Sequence, residues 1–199
     1  MRDNGSALDP PARGSRRDQP PAWSDGGVNT LEHAGVRKVV AALAEAGLAT
    51  SADGVRVLDD EVRTAALAAR ALGVEVGAIA NSLVFKAVHT DGSITPLLAM
   101  TSGAHKADPK ILAALAGAAR IERADAEFVR THTGQAIGGV APVGHPAPIQ
   151  TLVDAYLTRY PLLWAAAGHP KTVFPITFAE LVQLTGGTAA DLAGEESGA

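Results

Sequence analysis

The run from Thr131 to Pro146 constrains the fold of this chain more than any other stretch. It holds four glycines and two prolines in sixteen residues, and it contains no Asp, Glu, Lys or Arg. Glycine permits positive φ and close approach of other groups, whereas proline fixes φ and lacks an N–H donor. This composition predicts a rigid loop whose free N–H groups face a ligand. An ordinary turn between two strands is the alternative.

The composition limits the partners that such a loop can serve. A chain of 199 residues is long enough for one domain with a well-formed core. Aromatic residues make up only 4%, so the core must be built mainly from Ala, Val, Leu and Ile. A net charge of −4 argues against a broad basic face for nucleic acid, although it leaves room for a small basic patch.

The absence of cysteine excludes disulfides, thiolate metal sites and a cysteine nucleophile, and it favours a reducing cytoplasm. No apolar run approaches the length of a membrane span, and the first arginines precede no apolar segment of a secretory signal. The histidines have no metal-binding spacing, so we expect no metal and no cofactor. They stand at His33, His89, His105, His132, His145 and His169.

The chain divides into a tail, a domain and a short end. Residues 1–27 combine paired prolines with scattered charges and are predicted to form a flexible tail. Residues 28–192 form the predicted domain, and residues 193–199 are expected to fray. No internal repeat is present.

Capping signals at Asp108, Asp125 and Thr177, together with apolar periodicity, predict a mixture of helices and strands. The predicted helices cover about 30–48 (with Asn29 as N-cap), 61–72, 109–117, 126–133 and 178–185. The predicted strands cover 55–58, 82–88, 94–100, 119–121, 150–153, 162–167 and 173–176. Asp91-Gly92 reads as a two-residue hairpin turn, and the chain beyond Gly187 is expected to lack regular structure. The irregular order predicts an α+β (mixed α/β) fold with a mixed sheet and helices around it.

The common catalytic signatures are absent from this sequence. It has no Gly-x-Ser-x-Gly elbow, no His-Glu-x-x-His and no phosphate-binding P-loop. His105, His145 and His169 lie in three separate Gly/Pro loops that could converge.

Several short segments, in a fixed order, resemble the YbaK/ProX-type aminoacyl-tRNA editing domains, the free-standing relatives of the editing insertion of bacterial prolyl-tRNA synthetases. The resemblance covers about residues 30–192. The segments are Ala-Leu-Gly-Val at 71–74, Ile-Ala-Asn-Ser-Leu-Val-Phe at 79–85, Ser-Gly-Ala-His-Lys-Ala-Asp at 102–108, Thr-Gly-Gln-Ala-Ile-Gly-Gly-Val-Ala-Pro-Val-Gly at 133–144, Ala-Gly-His-Pro at 167–170, and Thr-Phe-Ala-Glu-Leu at 177–181 with Leu-Thr-Gly-Gly at 184–187.

This resemblance implies a strongly curved mixed sheet surrounded by helices, and a deacylase that acts in trans. The expected reaction is hydrolysis of the ester between a wrong amino acid and the 3′ end of tRNA, with a bound water as the nucleophile. Gly138 to Pro142 looks like the family's Gly-x-x-x-Pro loop, whose backbone amides help to bind the ester carbonyl. Fixed N–H donors stabilise the negative charge that develops there, by roughly 3–4 kcal/mol for one donor. The implied catalytic positions are Asn81, Gly138, Gly139, Val140 and Pro142.

The resemblance also implies a set of substrate-binding positions and partners. Lys106 could supply a cation, or it could be a solvated surface residue, and His169 has a family-like position beside Gly168. The expected partners are the 3′ end of an aminoacyl-tRNA and, as helpers, a synthetase or an elongation factor; the protein is expected to be a monomer or a homodimer. The implied substrate-binding positions are Gly103, His105, Lys106, Thr133, Gly134, Ala141, Gly168 and His169.

Asn81 is the main departure from the family pattern, because the family usually has a lysine at this position. Asn can donate and accept hydrogen bonds but carries no charge. Lys86 is five residues further along an extended strand, so it is predicted to face the other side. Either the substrate or contact mode differs, or hydrolysis is weak or lost. The alternatives are therefore a binding module for an amino acid or aminoacyl-adenosine, and an adaptor that uses the tail or a sheet edge.

Overall fold

The structure, a computed structural model, describes residues 30–59 and 64–194. The predicted tail, the N-cap Asn29 and residues 195–199 lie outside these ranges. None of the helices within them combines the length and the apolar character of a membrane span.

Eight strands form one mixed sheet, in the order β1-β7-β6-β2-β3-β5-β8, with β4 also paired to β2. β2 is parallel to β6, β3 to β5 and β5 to β8, and the other pairs are antiparallel. The strands are β1 Arg56–Val57, β2 Ile79–Val88, β3 Ile94–Ser102, β4 Arg120–Arg123, β5 Gln150–Asp154, β6 Leu163–Ala166, β7 Thr172–Ile176 and β8 Thr188–Ala190.

Helices surround this sheet, and their starts follow the predicted capping signals. The side chains of Asp108, Asp125 and Thr177 each accept a backbone N–H in the first turn of α4, α5 and α6. The helices are α1 Ala34–Glu45, α2 Ala49–Asp53, α3 Ala65–Leu72, α4 Pro109–Ala116, α5 Ala126–Thr133 and α6 Phe178–Thr185, with 3-10 turns at Thr30–Glu32, Val76–Ala78 and Ala155–Arg159. The prediction of a mixed sheet with helices around it is confirmed.

The core is aliphatic, as the composition requires. On one face of the sheet, Leu43 of α1 and Leu181 of α6 belong to one fully buried cluster with Met100 of β3. On the other face, Leu112 of α4 belongs to a second cluster with Leu97. Each such side chain contributes roughly 1.5–3 kcal/mol on burial. A third cluster joins the alanines of α3 to β6 and β7, and it adjoins the site described below.

The prediction of a two-residue turn at Asp91-Gly92 is wrong. β2 ends at Val88 and β3 begins at Ile94, so the connection is longer. Asp91 Oδ1 accepts both the N–H and the hydroxyl of Ser93, at 2.9 and 2.6 Å, and His89 N–H donates to the Ser93 carbonyl. The Asp91 side chain therefore accepts hydrogen bonds from Ser93, whereas in a two-residue turn the backbone groups would pair with one another.

The expectation that the chain frays after Gly187 is also wrong. Thr188–Ala190 forms β8, which pairs in parallel with Leu152–Asp154 of β5, and the following Leu192 is fully buried. The short Thr-Ala-Ala sequence carries no periodicity, and the strand depends on its tertiary partner. The five-residue helix α2 was missed for a similar reason, since it is too short to show a pattern.

Candidate functional site

One edge of β2 is unpaired along its middle. On one side, β3 pairs with β2 over Ala80–Val88. On the other side, β6 pairs only with Ile79 and Ala80, and β4 pairs only with Phe85–Val88. We call the segment between them, Asn81–Val84, the open edge. Its outward backbone groups have no ladder partner, so they are available to a bound molecule.

Two cavities meet over the open edge and form one groove. The first cavity, of about 360 Å³, lies between β2, α3, β6 and β7. The second, of about 400 Å³, runs along β2 towards β4. They share the lining residues Ser82, Leu83, Ile137, Gly138 and Val140.

The glycine loop, residues 134–142, covers the point where the two cavities meet. The Gly139 N–H donates to the Ala136 carbonyl at 3.1 Å, and Gly138 has φ +90°, as the third residue of a type II turn requires. The N–H groups of Gly138 and Val140 have no hydrogen-bond partner in the part of the chain that the structure describes. Both residues line the two cavities, so two unpaired backbone donors belong to residues of the groove lining.

A buried glutamine holds this loop in place. Gln135 is 5% exposed; its Oε1 accepts the Ala141 N–H at 2.6 Å, and its Nε2 donates to the Val143 carbonyl at 3.1 Å. The Thr133 hydroxyl donates to the Val129 carbonyl and accepts the Gln135 N–H. The loop is therefore fixed from below by side chains that do not reach the groove. Gln135 is the only residue of the glycine loop with a polar side chain, and this feature of the sequence could have identified it.

The loop is also pressed against the turn at residues 168–170. A Cβ added at Gly139 would lie 2.6 Å from the carbonyl carbon of His169 and from the nitrogen of Pro170. Gly168 has φ +88° and meets the backbone of Gly35 at the start of α1. Pro170 lines the first cavity, whereas His169 Nδ1 accepts the Lys171 N–H at 3.1 Å. Gly139 is thus required for close approach of two loops.

Asn81 lines the first cavity and is partly buried. Its side chain makes no hydrogen bond with any described residue. The other polar lining residues are Thr64, Ser82 and Thr172, and the Thr172 hydroxyl donates to the His169 carbonyl. Asn81 therefore presents an unused amide to whatever the cavity holds.

Among the described residues, no ionisable side chain lines the first cavity, and Arg123 is the only one that lines the second. Lys86 lines neither cavity. Its ammonium group pairs with Asp125 Oδ2 at 2.5 Å. That contact, with the N–H of Phe128, lowers the pKa of Asp125 to about 2. A lining of this kind can act through backbone dipoles and hydroxyls, and its described residues include no side-chain general base.

The remaining predicted positions lie away from the groove. Gly103, His105 and Lys106 follow β3 and line neither cavity; Gly103 packs on the Val76 carbonyl, and Lys106 is exposed. Thr133 at the end of α5, and Ala141 and Pro142 at the end of the glycine loop, are buried and line neither cavity, and Gly134 caps the end of α5.

None of the three histidines lines the groove, although the turn that holds His169 reaches it through Pro170. His145 contacts the Ala141 carbonyl at 2.9 Å, and burial lowers the pKa of His145.

The structure brings Asn81, Gly138 and Val140 together, with Gly139 behind them. Sequence reasoning missed the lining from α3 and β6, such as Ala68 and Trp164, because those segments carry no motif.

The chain is similar to proteins of known family and structure. The family model described as an aminoacyl-tRNA editing domain matches residues 59–184. A protein described as a candidate trans-editing enzyme for prolyl tRNA synthetase is 40% identical, with a TM-score of 0.71 over 81% of this chain and 98% of that one. A structure from work on epitope grafting onto scaffold proteins by computational design is 36% identical, with a TM-score of 0.72 over 81% and 99%. Hypothetical protein APE2540 is 27% identical, with a TM-score of 0.68 over 78% and 98%.

Proposed function

The chain belongs to the aminoacyl-tRNA editing domain family, and we propose that it is a free-standing deacylase that hydrolyses the ester of a mischarged tRNA. One observation carries this proposal. Two backbone N–H groups, those of Gly138 and Val140, are free at a groove whose first cavity has no ionisable lining among the described residues. Such donors suit a reaction that develops negative charge on a carbonyl oxygen.

The glycine loop supplies the stabilisation of the transition state. As water attacks the ester carbon, the carbonyl oxygen becomes an oxyanion that accepts hydrogen bonds from the two free N–H groups. Collapse of this intermediate breaks the bond between the acyl carbon and the ribose oxygen, which takes up the proton that the water loses and leaves as the terminal hydroxyl of the tRNA. The Gln135 hydrogen bonds and the contact of Gly139 with residues 169–170 hold these donors before substrate arrives. A fixed donor of this type contributes roughly 3–4 kcal/mol, because no reorganisation is needed during the reaction.

The two cavities divide the substrate between them. The first, at about 360 Å³, takes the aminoacyl group against the alanines of α3 and the ring of Trp164. The second takes the terminal nucleotide, where Arg123 is available for a phosphate or a base edge. This division places the ester bond beneath the glycine loop, where the cavities meet.

Asn81 binds the aminoacyl group through hydrogen bonds instead of charge. Its amide oxygen can accept a hydrogen bond from the substrate's α-ammonium group, whereas a lysine at this position could only donate and would repel that group. The attacking water is oriented by backbone groups of the open edge and by a ribose hydroxyl of the substrate. The contact mode at Asn81 thus differs from that of lysine-containing relatives, while the loop chemistry is retained.

A binding module is the second candidate function. The observation that favours it is Asn81 in the lining of the first cavity, at the position where the family usually has a lysine. Such a protein would hold an aminoacyl-adenosine at the groove without turning it over.

A panel of mischarged tRNAs tests the proposed reaction. We expect the protein to release at least one amino acid faster than buffer does, in single-turnover reactions with excess protein. No acceleration for any member of the panel would rule out the deacylase.

Binding of a non-hydrolysable aminoacyl-adenosine analogue, measured alongside, separates the two functions. Saturable binding without turnover in the wild type, together with turnover in Asn81→Lys, would establish the binding module. Turnover in the wild type rejects it.

A further inference from the structure

A second polar cluster lies where three adjacent parallel strands end. β3, β5 and β8 run in the same direction, so their carboxyl ends meet at one edge of the sheet. His105 follows the end of β3, Asp154 is the last residue of β5, and Asp191 comes directly after β8. None of these three residues lines the groove. The fold, and not a local motif, brings them together.

Their ligand atoms have the spacing of a metal site. One nitrogen or oxygen from each of the three side chains lies within 4.8 Å of the others. His105 Nδ1 and Asp154 Oδ2 are 3.3 Å apart. Two ligands on a tetrahedral zinc ion, with bonds of 2.0–2.1 Å, are separated by about 3.3–3.4 Å. The exposed carboxylate of Asp191 can close the remaining distance by a change of rotamer.

Two buried polar atoms beside this cluster point independently to a ligand. His105 Nδ1 is sealed from solvent and has no partner at hydrogen-bonding geometry among the described residues, although it lies close to Asp154. The Thr101 hydroxyl is also unpartnered, and Thr101 is 0% exposed. Met100 of β3 is paired with Val153 of β5. Thr101 follows Met100 and Asp154 follows Val153, so Thr101 and Asp154 face the same side of the sheet. Leaving such groups unsatisfied costs roughly 1–3 kcal/mol each.

The surroundings orient the ligands as a metal site requires. Asp154 is 0% exposed; its Oδ2 accepts the Ser102 N–H at 3.1 Å and its Oδ1 accepts the Tyr156 N–H at 3.0 Å. The His105 ring lies against Tyr156, with ring centroids 3.9 Å apart. Partners of this kind fix the direction of a ligating carboxylate or imidazole. Two carboxylates and a neutral imidazole also match the charge of a divalent cation.

We propose that His105, Asp154 and Asp191 bind a divalent first-row transition metal ion, Zn²⁺ in particular, which fastens β8 to the ends of β3 and β5. An imidazole ligand selects zinc over magnesium or calcium, and water completes the coordination. The ion is structural, because the cluster lies outside the groove. The site is independent of the deacylase proposal, and a simple His105–Asp154 ion pair is the competing interpretation.

Zinc titration of the chelator-treated full chain tests this site by isothermal calorimetry. We expect one Zn²⁺ per chain, with an affinity at least about tenfold weaker in Asp191→Asn and in His105→Gln. Asp191 is exposed, and its Oδ1 accepts the Ala193 N–H at 3.1 Å, a hydrogen bond that the amide oxygen of the asparagine can also accept. Asp53→Asn, at an exposed aspartate at the end of α2, is the matched control and should bind like the wild type.

Thermal unfolding gives a second readout. Zn²⁺ should raise the unfolding temperature of the wild type and of Asp53→Asn, and at the same concentration it should raise that of Asp191→Asn by less. The proposal is overturned if the wild type binds no stoichiometric Zn²⁺, if the Asp191 and His105 variants bind it as tightly as the wild type, or if Mg²⁺ binds with equal affinity.

Discussion

The groove and the His105–Asp154–Asp191 cluster use opposite kinds of chemistry within one sheet. In the first cavity, the polar groups among the described residues are backbone amides, hydroxyls and the Asn81 amide. At the carboxyl ends of β3, β5 and β8, a fully buried carboxylate lies 3.3 Å from an imidazole. The described lining of the first cavity offers uncharged donors, whereas the second region brings ionisable side chains together at the ends of three strands.

The two regions therefore illustrate two different uses of polar groups: fixed positions in the groove, and charged side chains in the cluster. An activated ester can be hydrolysed by fixed dipoles and an oriented water, so the groove requires rigidity more than titratable groups. The cluster lies where β8 joins the sheet, and under the zinc proposal its charged groups hold the strand ends together. We therefore expect substitutions in the glycine loop to change the rate of deacylation most, and substitutions of charged residues to change stability.

Gly139→Ala should have the largest effect. The new methyl group would lie 2.6 Å from backbone atoms of His169 and Pro170, so the loops must separate and move the donors of Gly138 and Val140. A displacement of about 1 Å costs on the order of 100-fold in rate. Single-turnover deacylation measures this loss.

The matched control for that substitution is Gly92→Ala. Gly92 has φ +85°, but its added Cβ would meet no atom within 4 Å. The control should therefore lose only about 1–2 kcal/mol of stability through backbone strain and keep the wild-type rate. Equal rates for Gly139→Ala and the wild type would show that the loop position does not matter for the reaction.

Asn81→Ala should reduce deacylation by roughly 10-fold, the loss of one hydrogen bond of about 1.5 kcal/mol to a charged group. Because the Asn81 side chain has no hydrogen-bond partner among the described residues, the free energy of unfolding should change little. Urea denaturation and single-turnover rates, measured on the same preparation, distinguish the two effects. A large loss of stability with an unchanged rate would assign Asn81 to the scaffold. Ser82→Ala removes a lining hydroxyl that already donates to Met100 Sδ at 3.3 Å, so it should slow the reaction less than Asn81→Ala.

The elements of the fold that could be predicted from sequence are those with a signal in their own residues. Asp108, Asp125 and Thr177 are good caps followed by apolar periodicity, so three helix starts are confirmed. β8 was missed because its stability depends on pairing with β5. Pairings between residues distant in sequence have no local signature.

The same distinction applies to the site. The loop could be identified from its glycines, and Asn81 from its position in a family-like segment. The groove itself depends on the gap between β4 and β6 along β2, which is a property of strand pairing. The cluster of His105, Asp154 and Asp191 likewise needs three parallel strands to end together, and histidine spacing alone gave no sign of it.

Asp125→Asn should have the smallest effect, and it tests whether charge beside the groove matters for the reaction. Asn can still accept the Phe128 N–H as an N-cap, so the substitution removes mainly the ion pair with Lys86. The folded-state pKa of Asp125 is lowered from 3.8 to about 2, so the ionised carboxylate favours the folded state. Its contribution is complete above the unfolded pKa and is lost as the pH falls through about 2.

The difference in urea midpoint between the wild type and Asp125→Asn should therefore be constant from pH 7 to about pH 4 and shrink towards zero near pH 2. It should also be small and reduced by salt, because the carboxylate is exposed. Deacylation at neutral pH should be unchanged, since neither Lys86 nor Asp125 lines the groove. A midpoint difference as large at pH 2 as at pH 7 would assign the effect to capping instead of charge. A slower reaction at neutral pH would mean that charge beside the groove contributes to the chemistry, and the contrast between the two regions would then fail.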